Sequence, residues 1–188
     1  MKKILFVIAL AVTTTATFGQ GRFLTKNGKI YFDCTTPSSP EKIDGTNDKA
    51  TSVIDASTGA IEFALLMKAF VFEKSLMQEH FNENYVESDK FPKATFKGNI
   101  TNMSSINLSK DGTYPATVKG QMTLHGETKE VTAPGTITVK GGAITAAKSE
   151  FKLLLSDFKI DVPTVVQDKV AKEAKISVDL TFQPMAAK

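Results

Sequence analysis

Hydrophobic and polar residues alternate along most of the chain beyond Lys26. The clearest example is the stretch 116–124, where apolar or small residues occupy every second position and polar residues lie between them. This spacing is typical of a β-strand, whose successive side chains point to opposite faces. The same alternation predicts further strands over 50–56, 61–67, 94–100, 131–139, 147–155 and 176–182.

Short stretches of turn-forming residues separate these strands. The pairs 125–126 (His-Gly) and 141–142 (Gly-Gly) predict two-residue hairpin turns, because glycine accepts the positive φ that such turns require. The tripeptide 57–59 predicts another turn. In 73–85 the apolar residues instead recur at helical spacing, which predicts a helix. These features predict an all-β fold, an antiparallel barrel or sandwich with one short helix.

The positions predicted to face inward mix large and small side chains. The large ones are Phe63, Met67, Phe96, Met122, Phe151 and Phe182. The small ones are Ala94, Gly98, Gly120, Ala133, Gly135, Ala147 and Ser149. A barrel of about eight strands has just enough interior to be filled by side chains or to hold one slender ligand. Small inward residues favour a cavity, but they also fit the taper of a filled barrel, so both interpretations stay open.

The N-terminus differs in character from the rest of the chain. An apolar run over 4–12 follows two lysines, and it is far shorter than the roughly 20 residues of a membrane-spanning helix. Residues 1–19 are therefore predicted to be a signal peptide, cleaved after Gly19 or, alternatively, after Gln20. Residues 20–188 are predicted to form one domain, periplasmic or secreted, without stable membrane insertion.

The charge balance limits the choice of partners. The whole chain has a formal net charge of +3, and loss of Lys2 and Lys3 with the signal peptide would lower it to +1. Nucleic-acid binding needs a concentrated cationic surface, so we expect no nucleic-acid partner. The acidic residues Asp44, Asp48 and Asp55 lack the register of a calcium loop and are expected in a solvated loop. The oligomeric state stays open, with a homodimer as one option.

Few side chains are suited to catalysis or metal binding. Zinc-site spacing, a serine-nucleophile motif and a phosphate-binding glycine loop are all absent from the sequence. Cys34 is expected to be a buried, inert thiol and His125 an exposed turn residue. His80 is expected on the helix, as a structural hydrogen-bonding residue or a polar contact to a ligand. We therefore expect no enzyme activity, no cofactor and no metal.

Four phrases in a fixed order resemble those of a known family. They are His80-Phe81, 89–96 (DKFPKATF), 120–131 (GQMTLHGETKEV) and 157–160 (DFKI). In this order they resemble the YceI-like family, over roughly residues 60–182. The resemblance implies a lipocalin-like, eight-stranded antiparallel barrel, secreted or periplasmic. It also implies a ligand class, because characterised relatives hold polyisoprenoid chains such as quinone tails.

The alternation and the resemblance together lead to a ligand hypothesis. We expect an exported binding protein that holds a long-chain apolar lipid, a polyisoprenoid or a quinone tail, in the barrel lumen. The predicted ligand-binding residues are Phe63, Leu65, Met67, Phe96, Met122, Leu124, Phe151, Leu153, Val178 and Leu180, with His80 as a polar contact.

The N-terminal part departs from the family pattern and keeps a second hypothesis open. Typical members begin with a His-Ser phrase and a long glycine-containing hairpin, whereas here 31–34 (YFDC) leads towards a polar loop over 41–49. A barrel filled by its own side chains would instead be an envelope or stress-response interaction module without a ligand. Exposed aromatic residues on one rim, such as Phe70, Phe72 and Tyr85, would favour that alternative.

Overall fold

The computed structural model describes residues 21–185, so the predicted signal peptide, residues 1–19, lies outside the described residues. The eight long strands are β1 Arg22–Thr35, β2 Asp44–Asp55, β3 Ala60–Leu66, β4 Lys93–Ile100, β5 Gly112–Leu124, β6 Glu127–Lys140, β7 Ala143–Leu154 and β8 Val170–Thr181. A two-residue strand, β9, spans Gln183–Pro184.

Each long strand pairs antiparallel with the next one in sequence. β8 pairs back with β1, and this pairing closes the sheet into a barrel. β9 adds to the closure by pairing with Phe23 and Leu24 at the start of β1. The predicted eight-stranded antiparallel barrel is therefore confirmed.

The predicted hairpin turns are confirmed. His125 and Gly126 have φ values of 51° and 79°, and Gly141 and Gly142 have φ values of 58° and 77°. Positive φ at both central residues gives a turn whose twist matches that of the flanking strands.

The helix is shorter and less regular than the predicted 73–85. α1 spans Ser75–His80 and continues into a π-helical turn over Phe81–Tyr85. Phe81 stacks on Phe32 of β1 with ring centroids 5.2 Å apart, so the apolar periodicity continues through the π turn. Within the described part of the chain, no helix combines the length and the apolar character needed to cross a membrane.

The two ends of the barrel differ in their connections. The end that we call the filled end carries the connections 56–59, 101–111 and 141–142. The opposite end, which we call the open end, carries 36–43, 67–92, 125–126 and 155–169. Single 3-10 turns lie within these connections or at their borders at Met67–Ala69, Met103–Ser105, Leu155–Phe158 and Thr164–Val166.

Large apolar side chains close the filled end. They are Phe23, Ile106, Val139, Ile144 and Phe182, each at most 5% exposed. Ile144 pairs with Val139 across β6 and β7, and Ile106 reaches the core from the connection 101–111. This end therefore has the dense packing of an ordinary protein interior.

Three of the small inward residues reflect close approach of the strands. A Cβ atom at Gly98 would lie 2.3 Å from the Lys119 carbonyl oxygen, and the facing Gly120 is equally crowded. A Cβ atom at Gly135 would lie 2.4 Å from the Lys148 carbonyl oxygen. Any larger residue would force the backbone to move, so these glycines are required by strand packing.

Candidate functional site

A cavity of about 480 Å³ lies inside the barrel between the filled end and the open end. Inward side chains of all eight long strands line it. Phe151 and Ile176 point inward and are nevertheless only half-buried, because they border this space. A cavity of this volume is in the range of small-molecule binding pockets. The side-chain-filled barrel that the sequence left open is therefore contradicted.

The structure brings all the sequence-predicted ligand contacts together on the cavity wall. These residues are Phe63, Leu65, Met67, Phe96, Met122, Leu124, Phe151, Leu153, Val178 and Leu180. They lie on β3, β4, β5, β7 and β8, with Met67 directly after β3, and none of them lies on β1, β2 or β6. Their contact with a ligand remains a prediction.

Sequence reasoning missed two groups of lining residues. The first group is Ile30, Phe32 and Cys34 of β1, whose spacing of two was a readable signal. The second group comes from the connections at the open end and includes Met77, Phe81, Tyr85, Phe158, Ile160 and Val166. The helical spacing of Met77, Phe81 and Tyr85 indicated an apolar face but not that it borders the lumen, and the others show no periodic pattern.

Three connections border the cavity at the open end. The bordering residues are Ser39, Pro40, Glu41, Met77, His80, Val166 and Lys169. Lys74, just before α1, forms an ion pair with Glu41, and this carboxylate raises the pKa of Lys74. His80 is exposed at this border, and its polar contact with a ligand remains a prediction.

Phenylalanine rings form a buried wall beside α1. The ring centroid of Phe32 lies 5.3 Å from that of Phe70 and 5.6 Å from that of Phe72, both edge-to-face. Phe81 contacts all three rings. Phe70 and Phe72 are buried and Tyr85 is half-buried. The exposed aromatic rim that would have favoured an interaction module is therefore contradicted, because these rings pack against β1.

Two ionisable groups on the cavity wall stay uncharged at neutral pH. Burial raises the pKa of the Cys34 thiol to about 12. Burial also raises the pKa of Tyr85, and the neighbouring Cys34 adds to the effect. Cys34 is buried as predicted, and its high pKa makes it a poor nucleophile. The charged lining residues are Glu41, Lys148 and Lys169.

His125 does not have its predicted role as an exposed turn residue. Its side chain is 10% exposed. Its Nδ1 atom lies 3.0 Å from the Phe158 carbonyl oxygen, and its Nε2 atom lies 2.9 Å from a Glu87 carboxylate oxygen. Phe91 packs edge-on against the ring. His125 thus joins the β5–β6 hairpin to two connections of the open end, through contacts too distant in sequence for a local pattern to indicate.

The acidic residues expected in a solvated loop lie on a strand instead. Asp44, Asp48 and Asp55 all belong to β2, whose first residue falls inside the predicted polar loop. Ser57 and Arg22 donate hydrogen bonds to Asp55 and hold the pKa of its carboxyl at about 2. Among residues 21–185, no group of His, Cys, Asp and Glu side chains is arranged to hold a metal ion.

Several solved structures share this barrel. A polyisoprenoid-binding domain from Saccharophagus degradans, implicated in plant cell wall breakdown, matches with a TM-score of 0.72 and 10% identity, over 88% of this chain and 99% of that one. BcnA of Burkholderia cenocepacia matches with a TM-score of 0.64 and 17% identity, over 82% and 95%. A YceI protein of Campylobacter jejuni matches with a TM-score of 0.56 and 14% identity, over 81% and 90%. At these identities the matches show the fold alone.

The sequence also matches a family model. No curated protein matches the chain. The model of the YceI-like domain matches residues 11–182, which is most of the chain and includes all four phrases of the sequence analysis. On this match, the chain belongs to the YceI-like family.

Proposed function

We propose that this chain is an exported carrier that holds a long-chain apolar lipid, a polyisoprenoid or a quinone tail, in the barrel lumen. The observation that carries the proposal is the cavity of about 480 Å³, which is lined mainly by aliphatic and aromatic side chains. An apolar chain gains about 25 cal/mol for each Å² that it removes from water. A polar ligand would gain less, because it would give up hydrogen bonds to water without replacing them.

The cavity volume indicates the length of chain that fits inside. At roughly 30 Å³ per non-hydrogen atom, the cavity of about 480 Å³ has room for at least about 16 such atoms. Farnesol is a ligand of this size. The polyisoprenoid-binding domain of Saccharophagus degradans has the same fold and supports this ligand class.

We further propose that the protein binds without catalysis and acts in the periplasm or outside the cell. The neutral Cys34 and Tyr85 leave this wall without a strong nucleophile, and an apolar chain needs no cofactor to be held. The predicted signal peptide, residues 1–19, is the sequence basis for export. Mass measurement of the intact protein from its native host should give the mass of a chain that begins at residue 20 or 21.

Organic extraction of protein purified from its native host tests the ligand proposal. Mass spectrometry of the extract should find a polyisoprenoid or a quinone. Ala94→Phe places a ring in the lumen and should lower the recovered lipid several-fold. Thr95→Phe places the same ring on the outer face of the same strand and should leave the yield unchanged. Protein that carries no lipid and also fails to bind added farnesol would reject the proposal.

A further inference from the structure

The ladder between β6 and β7 stops partway along the barrel. Its last pair towards the open end is Gly135 with Ser149. Beyond this pair β6 is paired only with β5, as far as Glu127, and β7 is paired only with β8, as far as Leu154. The barrel wall therefore contains an unpaired seam between these two strands, in the half that holds the cavity.

Side chains close the seam at its two ends. At the lower end the Ser149 hydroxyl donates a hydrogen bond to the Pro134 carbonyl oxygen at 2.5 Å. At the upper end the Lys159 ammonium lies 2.6 Å from the Glu127 carboxylate. Between these contacts, within the described residues, neither a ladder pair nor a side-chain hydrogen bond joins β6 to β7. The seam is thus a bounded opening in the hydrogen-bonded wall.

The cavity lining changes its pattern at the lower end of this seam. On the other strands the lining consists of alternate residues, as expected for a wall with one inner face. On β6 it includes the consecutive residues Pro134, Gly135 and Thr136, and on β7 it includes Lys148 next to Ser149. Consecutive lining residues indicate that the cavity extends between the strands rather than ending at their inner face.

The sequence at the seam agrees with an end to pairing. Pro134 has no N–H group and cannot donate to either neighbouring strand. Gly135, just below the seam, marks the last close approach of β6 to the Lys148 carbonyl. Polar side chains such as Thr132 and Lys152 lie exposed on the outer face, where they discourage pairing of the free edges with another chain.

We propose that this seam is a side window of the lumen, through which the apolar chain enters and through which the part that exceeds the cavity emerges. This inference rests on the proposed function. A polyisoprenoid longer than the cavity needs such an exit for the part that does not fit inside. No ladder spans the window, so widening it breaks no backbone hydrogen bond between the strands.

The rival route is the mouth at the open end. Three exposed apolar side chains, Val71, Leu76 and Val165, lie on connections at this end. The ion pair between Lys74 and Glu41 joins two of the connections that border the cavity here. A covalent cross-link in place of this ion pair would restrict the mouth, and a cross-link between β6 and β7 would restrict the window. The two routes can therefore be tested separately.

The window bridge is built in a Cys34→Ala background. Thr132→Cys and Lys152→Cys lie opposite each other when the ladder register is continued beyond Gly135 and Ser149. A short bismaleimide linker joins them, so the bridge does not require the spacing of a disulfide.

Two matched bridges serve as comparisons in the same background. Lys152→Cys with Lys175→Cys joins β7 to β8 at an existing ladder pair and keeps one of the two window positions. Glu41→Cys with Lys74→Cys spans the mouth. The probe is a farnesol ester of anthranilic acid, whose fluorescence rises in apolar surroundings, and its uptake is followed by stopped-flow mixing.

The window predicts that the bridge between positions 132 and 152 lowers the uptake rate roughly tenfold or more. The other two bridges should leave the rate within about twofold of that of the same cysteine variant without its linker. Slow uptake by the protein with the mouth bridge, together with unchanged uptake by the protein with the window bridge, would overturn the inference while leaving the carrier function intact. Folded protein that takes up no probe in any form would instead reject the proposed function.

Discussion

The filled end and the hollow half of the barrel use the same strands and the same alternation, yet they bury their inward residues differently. Val139 and Ile144 near the filled end are at most 1% exposed. Phe151 and Ile176 also point inward but are half-buried, because empty space lies beside them. An inward position in a barrel is therefore not the same as a packed position, and only packed positions gain the full dispersion contacts.

The connections account for much of this difference. Two of the three connections at the filled end are short turns, and the third brings Ile106 into the core. At the open end the longer connections 67–92 and 155–169 border the cavity without filling it. We therefore expect stability to be concentrated at the filled end and binding in the hollow half.

Removal of matched isoleucine side chains should give the largest contrast between the two regions. Ile144→Ala removes a fully buried side chain and should lower the free energy of unfolding by about 3 kcal/mol. Ile176→Ala enlarges a cavity that already exists and should cost less than half as much. Urea unfolding of both variants measures the difference. Equal losses would show that the two regions are packed alike.

Replacement of a matched pair of alanines by leucine should give a smaller difference in stability between the two regions. An added side chain overpacks a filled site but fits into an empty one. Ala50 is fully buried and is not part of the cavity lining, so Ala50→Leu should cost about 1–3 kcal/mol through overpacking. Ala147 borders the cavity, so Ala147→Leu should cost less than about 1 kcal/mol and should weaken farnesol binding. An Ala147→Leu variant that unfolds as readily as Ala50→Leu would contradict the assignment of free space.

A rise of one pH unit above 9.0 should reveal the smallest effect, through Cys34 on the cavity wall. The pKa of this thiol is about 12 in the folded protein, above its ordinary value of 9.0. Between these values the unfolded state releases a proton that the folded state keeps, so stability present below pH 9.0 is lost as the pH rises. This slope is at most about 1.4 kcal/mol per pH unit, and Cys34→Ala should remove it. Urea unfolding of the unmodified protein and of Cys34→Ala, at pH values below and above 9.0, provides the test. Identical slopes of the free energy of unfolding against pH in the two proteins would contradict the prediction.

The strand pattern predicted the barrel well because both regions obey the same period. The turns at 125–126 and 141–142 were readable because each ends in a glycine with positive φ. The inner residues of β1 were equally readable and were missed, although they lie at alternate positions. The small inward residues were ambiguous, since Gly98 and Gly120 reflect strand contact while Ala94 and Ala147 border the cavity.

What the sequence did not reveal depends on contacts between distant segments. His125 is buried by Glu87 and Phe158, neither of which is near it in sequence. The seam is hidden for a related reason, because the alternation of β6 continues past the last pair, Gly135 with Ser149, as far as Val131. Pairing is a property of two strands, and the pattern within one strand does not report it.

Binding of isoprenoid alcohols of increasing length tests most directly whether the hollow half is a site for apolar chains. Titration calorimetry with geraniol, farnesol and geranylgeraniol should show affinity rising steeply to farnesol, by up to about 0.8 kcal/mol per buried CH₂. The gain for each added isoprene unit should fall at the chain length that exceeds the cavity of about 480 Å³. Affinity that does not change with chain length, or no binding of any of the three by folded protein, would contradict this assignment.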